Sequence, residues 1–259
     1  RWSPVYAEER QQAMARLVTE RRRLSVAALA EQYAVTTETV RRDLSQLERR
    51  GLVRRVHGGA VPAGSLATIE SELDERAATN TDLKEAIARA ALGQLPPEGA
   101  AVLLDAGSTT VRLASALPHD RHLIVFTHAV PVAARLASHP RVELHLLPGR
   151  VRTTTQAAVG ADTVAALGRL RADTVFLGTN ALSLDHGLST PDSDEAATKS
   201  AMVASARRVV VLADSSKLGT EAAIRFATLE QVDCLVTDEG ITDEDRDDLE
   251  SLGIEVVVA

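Results

Sequence analysis

Polar and apolar positions change their period once along the chain, near residue 80. Before that point apolar residues recur at helical spacing. Glu8 to Arg22 carries Met14, Leu17 and Val18 on one stripe, which predicts a helix. Ser25 stands at an N-cap position before a short helix with Val26, Leu29 and Ala30. "YAVTT" breaks the pattern, and Thr36 or Thr37 caps a third helix. There Val40, Leu44 and Leu47 face inward, Arg42, Ser45 and Arg49 face outward, and Arg41 lies on the flank. Gly51 ends that helix, and "LVRRVHGGAV" reads as two short strands about a tight turn at Gly58 and Gly59.

Residues 63–80 are small, polar and acidic and predict a linker, followed by a helix that starts near Thr81 and contains Leu83, Ile87 and Ala91. Beyond it, seven apolar runs alternate with helix-length segments: "AAVLLD", "LIVFT", "VELHLL", "DTVFLG", "RVVVLAD", "DCLVTD" and "IEVVV". Runs without strict alternation imply strands buried on both faces, hence a mostly parallel sheet in an α/β domain. The expected organisation is a winged helix-turn-helix domain at 1–62, the linker at 63–80 and an α/β domain at 81–259.

Charge divides along the same line. Residues 1–62 hold 12 arginines, no lysine and 7 acidic residues, a net +5; the remaining 17 basic and 29 acidic residues leave the rest at −12. A positive module on an acidic chain suits a polyanion bound at one end only. In the winged helix-turn-helix, the third helix enters the major groove of double-stranded DNA. Thr36, Thr37, Thr39 and Arg41 are then placed to reach base edges, and Arg42, Arg54, Arg55 and His57 to reach phosphates or the adjacent groove. Ser25, opening the helix before it, is grouped with them.

In a parallel α/β sheet ligands sit beyond the carboxyl ends of the strands. Asp105 and Gly107 follow the first run, with Ser108, Thr109 and Thr110 opening a helix whose positive end favours an anion. Thr127 and His128 follow the second run, Gly149 and Arg152 the third, Gly178 and Asn180 the fourth, and Asp214 and Lys217 the fifth. Cations and amides for phosphate, with Asp and Asn for hydroxyls, make up the inventory for a phosphorylated sugar. Glu195 and Lys199, at i,i+4 on a helix, fit an exposed ion pair as well as a ligand role. His186, before Gly187, reads as a loop residue.

Other chemistries lack support. The seven histidines show no metal-ligand spacing, and no nucleophile elbow or Walker sequence occurs, so neither a metal nor a cofactor is expected. The single cysteine, Cys234, falls in an apolar run and is expected as a buried thiol. No apolar run reaches membrane-spanning length and no signal-peptide pattern opens the sequence, so the expected compartment is the cytoplasm with no membrane partner. A sugar-phosphate isomerase stays conceivable, since it needs little beyond a phosphate cradle and one carboxylate base.

The run "LAEQYAVTTETVRRDLSQLERRGLVRRVHGGA" closely resembles the N-terminal domain of the DeoR family of bacterial transcription regulators. The likeness continues through "DAGSTT", "LGTNALSLDHGLSTPD", "EAATKSAM" and "ADSSKLG" to "LVTDEGI", nearly the whole chain. It implies a winged helix-turn-helix joined to an effector domain similar in fold to ribose-phosphate isomerase, without enzymatic activity. It further implies a repressor of carbohydrate genes that assembles as a dimer or tetramer and responds to a phosphorylated sugar. By position, the family's phosphate loop falls on Asp105, Gly107, Ser108, Thr109 and Thr110, and its later ligand positions on Gly178, Asn180, Asp214 and Lys217. The sequence departs from the family at His128, where Asn is frequent, and at Pro148, where Gly is frequent. "HGLSTPDSDEAATK" looks most like the branch controlling fructose or glycerol phosphate metabolism, and a fructose phosphate is the favoured effector.

Overall fold

The computed structural model describes residues 7–21, 24–56, 59–62 and 73–259. The chain forms two compact units, one containing Arg1–Leu66, the other Ala67–Ile241 and Arg246–Ala259. His57, Gly58 and residues 63–72 of the expected linker lie outside the described residues.

The first unit is built from α1 (Ala7–Arg21), β1 (Leu24–Ser25), α2 (Val26–Tyr33), α3 (Thr37–Arg49), β2 (Val53–Val56) and β3 (Gly59–Pro62). Met14, Val18, Leu29, Val40, Leu44 and Leu47 are all fully buried and form its core, so the inward stripes merge as their spacing requires. Ser25 accepts a bond from the Ala28 amide, and Thr36 accepts one from the Thr39 amide, capping α2 and α3. Between the two helices Ala34 adopts φ 52°, a left-handed conformation usually left to glycine. The strands pair antiparallel in the order β1-β3-β2. β1, two residues long, carries no periodicity and was not predicted. Its Ser25 pairs with Gly59, and a Cβ at Gly59 would collide with the Leu24 carbonyl.

In the second unit α4 (Leu73–Ala78) and α5 (Thr81–Ala91) precede β4 (Ala101–Leu104), α6 (Ser108–Ala116), β5 (Leu123–Thr127), α7 (Val130–Leu136) and β6 (Val142–Leu146). A ribbon, β7 (Arg150–Arg152) and β8 (Ala157–Val159), leads to α8 (Ala161–Leu167), β9 (Ala172–Gly178), β10 (Ala181–Ser183) and β11 (Gly187–Thr190). Then come α9 (Ser193–Ser205), β12 (Ala206–Leu212), β13 (Ile224–Ala227), β14 (Cys234–Thr237), α10 (Asp243–Ser251) and β15 (Glu255–Val258).

The seven apolar runs become one seven-stranded sheet in the order β15-β14-β12-β9-β4-β5-β6, every neighbouring pair parallel. Alternate residues feed two cores. Leu103, Val175, Leu177, Val209 and Val211 belong to one, and Val102, Leu104, Phe176, Val210 and Leu212 to the other. That two-sided burial is why the strands read as unbroken hydrophobic runs.

Two antiparallel pieces escaped the sequence pattern: the β7–β8 ribbon and a small sheet of order β10-β11-β13. Their strands are three or four residues long, too short for a period to show. Helix α4 lies inside the stretch read as linker, and on α5 the inward face is Lys84, Ile87, Ala88 and Ala91, while Leu83 is exposed. Among the described residues no helix is long and apolar enough to cross a membrane.

Candidate functional site

The first strand of the sheet, β4, lies between β5 and β9: the chain runs outward on one side through β5 and β6, then returns to the other side with β9. Such a reversal leaves a crevice at the carboxyl ends of the strands. A cavity of about 540 Å³, counted with its open mouth, occupies this place. Its wall includes Gly107, Ser108, Thr109 and Thr110 after β4, Gly178, Thr179 and Asn180 at the end of β9, and Asp214 and Lys217 after β12; Lys84, Glu195 and Lys199 complete the polar part.

The α6 end of the cavity has the properties of an anion cradle. No side chain caps α6, so its first-turn amides are left to another partner. Ser108, Thr109 and Thr110 are all buried, and the Thr110 hydroxyl donates to the Gly107 carbonyl (2.9 Å). Gly107 has an extended φ, so its lack of a side chain matters for room rather than for backbone freedom; an added Cβ would stand 3.4 Å from Thr110 Oγ1.

Beneath the cavity lies a chain of buried charges. Asp105 is fully buried; its Oδ2 accepts from the Gly178 amide (2.9 Å) and from Lys199 Nζ. Burial alone would raise the Asp105 pKa, but the Lys199 charge and the hydrogen bonds from His128 and Lys199 outweigh it and hold the carboxyl at about 2. Lys199 also donates to the Gly178 carbonyl (2.9 Å) and lies 3.8 Å from Glu195 Oε1. Glu195 Oε2 in turn accepts from Arg152 (2.9 Å), whose other nitrogen lies 3.2 Å from Asp192. Both Glu195 and Lys199 are 2% exposed, which removes the exposed ion pair as their explanation.

Eight of the expected effector positions therefore line the cavity: Gly107, Ser108, Thr109, Thr110, Gly178, Asn180, Asp214 and Lys217. Five do not. Asp105 supports the floor. His128 Nδ1 donates to the Ala158 carbonyl (2.7 Å) and its Nε2 lies 3.0 Å from Asp105. Thr127 is spent on the Leu104 carbonyl and the Ala129 amide. Arg152 holds Glu195 from outside the wall, and Gly149 serves packing, because a side chain there would run into Thr163 and the β8 backbone. Lys84 was missed: it is 6% exposed and donates to the Thr79 carbonyl (2.7 Å), on a helix whose pattern named only apolar residues. A lysine at an inward position was the available signal.

On the first unit, Thr37, Arg41 and Arg42 are exposed on the face of α3 opposite the core, and Thr39 is half-buried beside them. Thr36 and Thr39 hydroxyls lie 2.9 Å apart at the cap. Arg55 folds against α3: its guanidinium donates to Ser45 Oγ (2.8 Å) and its amide to Glu48 (2.9 Å), fastening β2 to the helix. The side chain of Arg54 lies outside the described residues. Behind α3, buried Asp43 accepts from Arg10 (2.7 Å) and Gln11 (2.8 Å) of α1.

Cys234 and His186 lie outside the cavity lining. Burial pushes the Cys234 thiol up to about 11, which keeps it protonated. His186 sits in the β10–β11 turn, its amide donating to Ser183 Oγ (3.0 Å). No group of three His, Cys, Asp or Glu among the described residues could hold a metal ion.

Known proteins match along both units. A DeoR-like helix-turn-helix domain matches residues 10–65, and a DeoR C terminal sensor domain matches residues 79–239. The HTH-type transcriptional regulator GlpR of Haloferax volcanii is 39% identical over 249 residues, 96% of either chain. The Glycerol-3-phosphate regulon repressor of Escherichia coli is 30% identical over 230 residues, 89% of this chain and 90% of its own. Among solved structures, ribose 5-phosphate isomerase A from Methanocaldococcus jannaschii superposes with a TM-score of 0.41 at 18% identity, over 54% of this chain and 55% of its own.

Proposed function

Because this chain belongs to the DeoR family of DNA-binding transcription regulators, we propose that it represses carbohydrate-metabolism genes and leaves its operator when a phosphorylated sugar fills the cavity. One observation carries this: three ammonium groups, Lys84, Lys199 and Lys217, and the uncapped start of α6 converge on a single crevice that also presents Asn180, Asp214 and Glu195. Phosphate takes the α6 amides and a lysine; Asn180 and Asp214 take hydroxyls. Glu195 is the carboxylate an isomerase would need as base, but Arg152 already occupies one of its oxygens and Lys199 faces the other. That pairing supports reading the cavity as a sensing site.

Residues 1–62 contact double-stranded operator DNA. Thr36, Thr37, Thr39 and Arg41 are assigned to base edges, and Arg42, Arg54, Arg55 and His57 to phosphates, Arg55 exchanging its bond to Ser45 Oγ for one to DNA. Ser25 supports this surface as the cap of α2. Two copies of the chain, as a dimer or within a tetramer, place two α3 helices on half-sites about 10 base pairs, or a multiple of that, apart. Residues 81–259 sense the effector. Fructose 1-phosphate is the first candidate from the sequence of β11 and α9, and the E. coli relative's name puts sn-glycerol 3-phosphate beside it.

A thermal-shift screen of phosphorylated sugars and polyols, with inorganic phosphate as control, tests this directly. A true effector at a hundred times its Kd adds about 2.7 kcal/mol of stability and raises the Tm. Lys217→Ala should bind operator DNA like the native protein yet need several-fold more effector for release. A screen in which no phosphorylated compound moves the Tm overturns the assignment.

A further inference from the structure

Helix α4 is the first described element after residues 63–72, the segment that joins it to the first unit. It is fastened at both ends. At its start the Leu73 amide donates to the Thr154 carbonyl (3.0 Å), in the turn of the β7–β8 ribbon. At its end the Ala77 carbonyl accepts from Arg112 (2.9 Å) of α6, and the Thr79 carbonyl accepts from Lys84 Nζ (2.7 Å). Asn80 Nδ2 reaches Asp214 Oδ1 at 3.3 Å. Lys84 and Asp214 are both in the cavity wall, so two of these fastenings use the groups that a ligand would claim.

Asn80 makes the arrangement unusual. It precedes α5 as the N-cap residue, a position where an asparagine normally bonds its own helix. Here its carbonyl accepts from the Lys84 amide (3.0 Å) but its side chain makes no cap: it is turned to Asp214, and its backbone is at φ 53°.

We propose that Lys84 and Asn80 report occupancy of the cavity to α4. This deepens the effector assignment above and depends on it. A phosphate bound at the α6 end draws the Lys84 ammonium from the Thr79 carbonyl, because an anionic oxygen is a stronger acceptor for the same cation than a neutral carbonyl. A ligand hydroxyl displaces the Asn80 amide from Asp214. With both bonds gone, the turn at Thr79–Asn80 and the end of α4 loosen. Lys84 is thus a ligand contact and a positioning residue at once.

Hydrogen exchange on the full chain tests this, with fructose 1-phosphate, sn-glycerol 3-phosphate and inorganic phosphate as probes. Peptides covering residues 107–113 should slow on binding, and those covering 73–80 should exchange at least about fivefold faster. In Lys84→Gln, residues 73–80 should exchange fast without ligand and change little with it; Lys84→Arg should keep the response. Slowed exchange at 107–113 with unchanged or slower exchange at 73–80 in the native protein overturns the inference and leaves the effector assignment standing. Absence of slowing at 107–113 with every probe overturns the assignment, and the inference with it.

Discussion

The two units hold their charges in opposite ways. In the first, Arg41, Arg42, Arg49 and Arg50 are exposed, and the charge deeply buried among the described residues is the carboxylate of Asp43, matched by neighbours on α1. In the second, Asp105, Lys199, Glu195 and Lys84 are nearly inaccessible and bonded to one another or to main-chain groups. An exposed cation costs little to keep and acts through its long-range field, which salt screens. A buried one is maintained only by its partners, so binding site and fold cannot be separated there. Substitution should therefore leave the first unit folded but blunt, and should damage the second as a structure.

The largest effect is expected at Lys199. Lys199→Met strands Asp105 without its main counter-charge and should cost about 3–5 kcal/mol in urea unfolding at neutral pH. The pH dependence gives the sign. In the native protein Asp105 is held at about 2, below its ordinary value of 3.8, so its contribution is complete above that value and is lost as pH falls toward about 2. In the variant the same carboxyl is buried without that charge and gains from protonation. The gap between the two proteins should then narrow as pH falls, starting above the ordinary 3.8, where the variant's raised carboxyl takes its proton, and continuing toward about 2; a constant gap would separate Asp105 from the effect.

Arg42→Ala tests the other side of the comparison. It should weaken binding to operator and random DNA alike and flatten the slope of log K against log salt by about one. Folding stability should stay within about 0.5 kcal/mol, since nothing buried is lost. A large drop in Tm would mean that the exposed arginines are structural after all. The smallest effect is expected between α2 and α3, where Ala34→Gly relieves a left-handed φ and should stabilise the first unit by up to about 1 kcal/mol in thermal unfolding, with operator affinity unchanged.

Legibility in the sequence follows the same division. The caps at Ser25 and Thr36, the stripe Val40, Leu44, Leu47 and the outward arginines are local, set by neighbours three or four positions away, and each is present in the structure. The cavity wall was only partly legible. Strand ends pointed to Gly107–Thr110, Gly178, Asn180, Asp214 and Lys217, because a parallel sheet collects its carboxyl ends on one edge. Nothing local distinguishes Asp105 beneath the floor from Ser108 in the wall, or shows that Arg152 stops at Glu195.

The pattern of residues alone determined a basic helix-turn-helix ahead of a seven-stranded parallel sheet, since amphipathic period and two-sided burial are written within single segments. Tertiary structure decided which polar groups line the cavity and which hold its floor. Asp105 and Lys199 are 94 residues apart in the chain, and their bond exists only once β4, β9 and α9 have packed. Burial, and with it the strength of every charge interaction in the cavity, is a property of that packing and of no one segment.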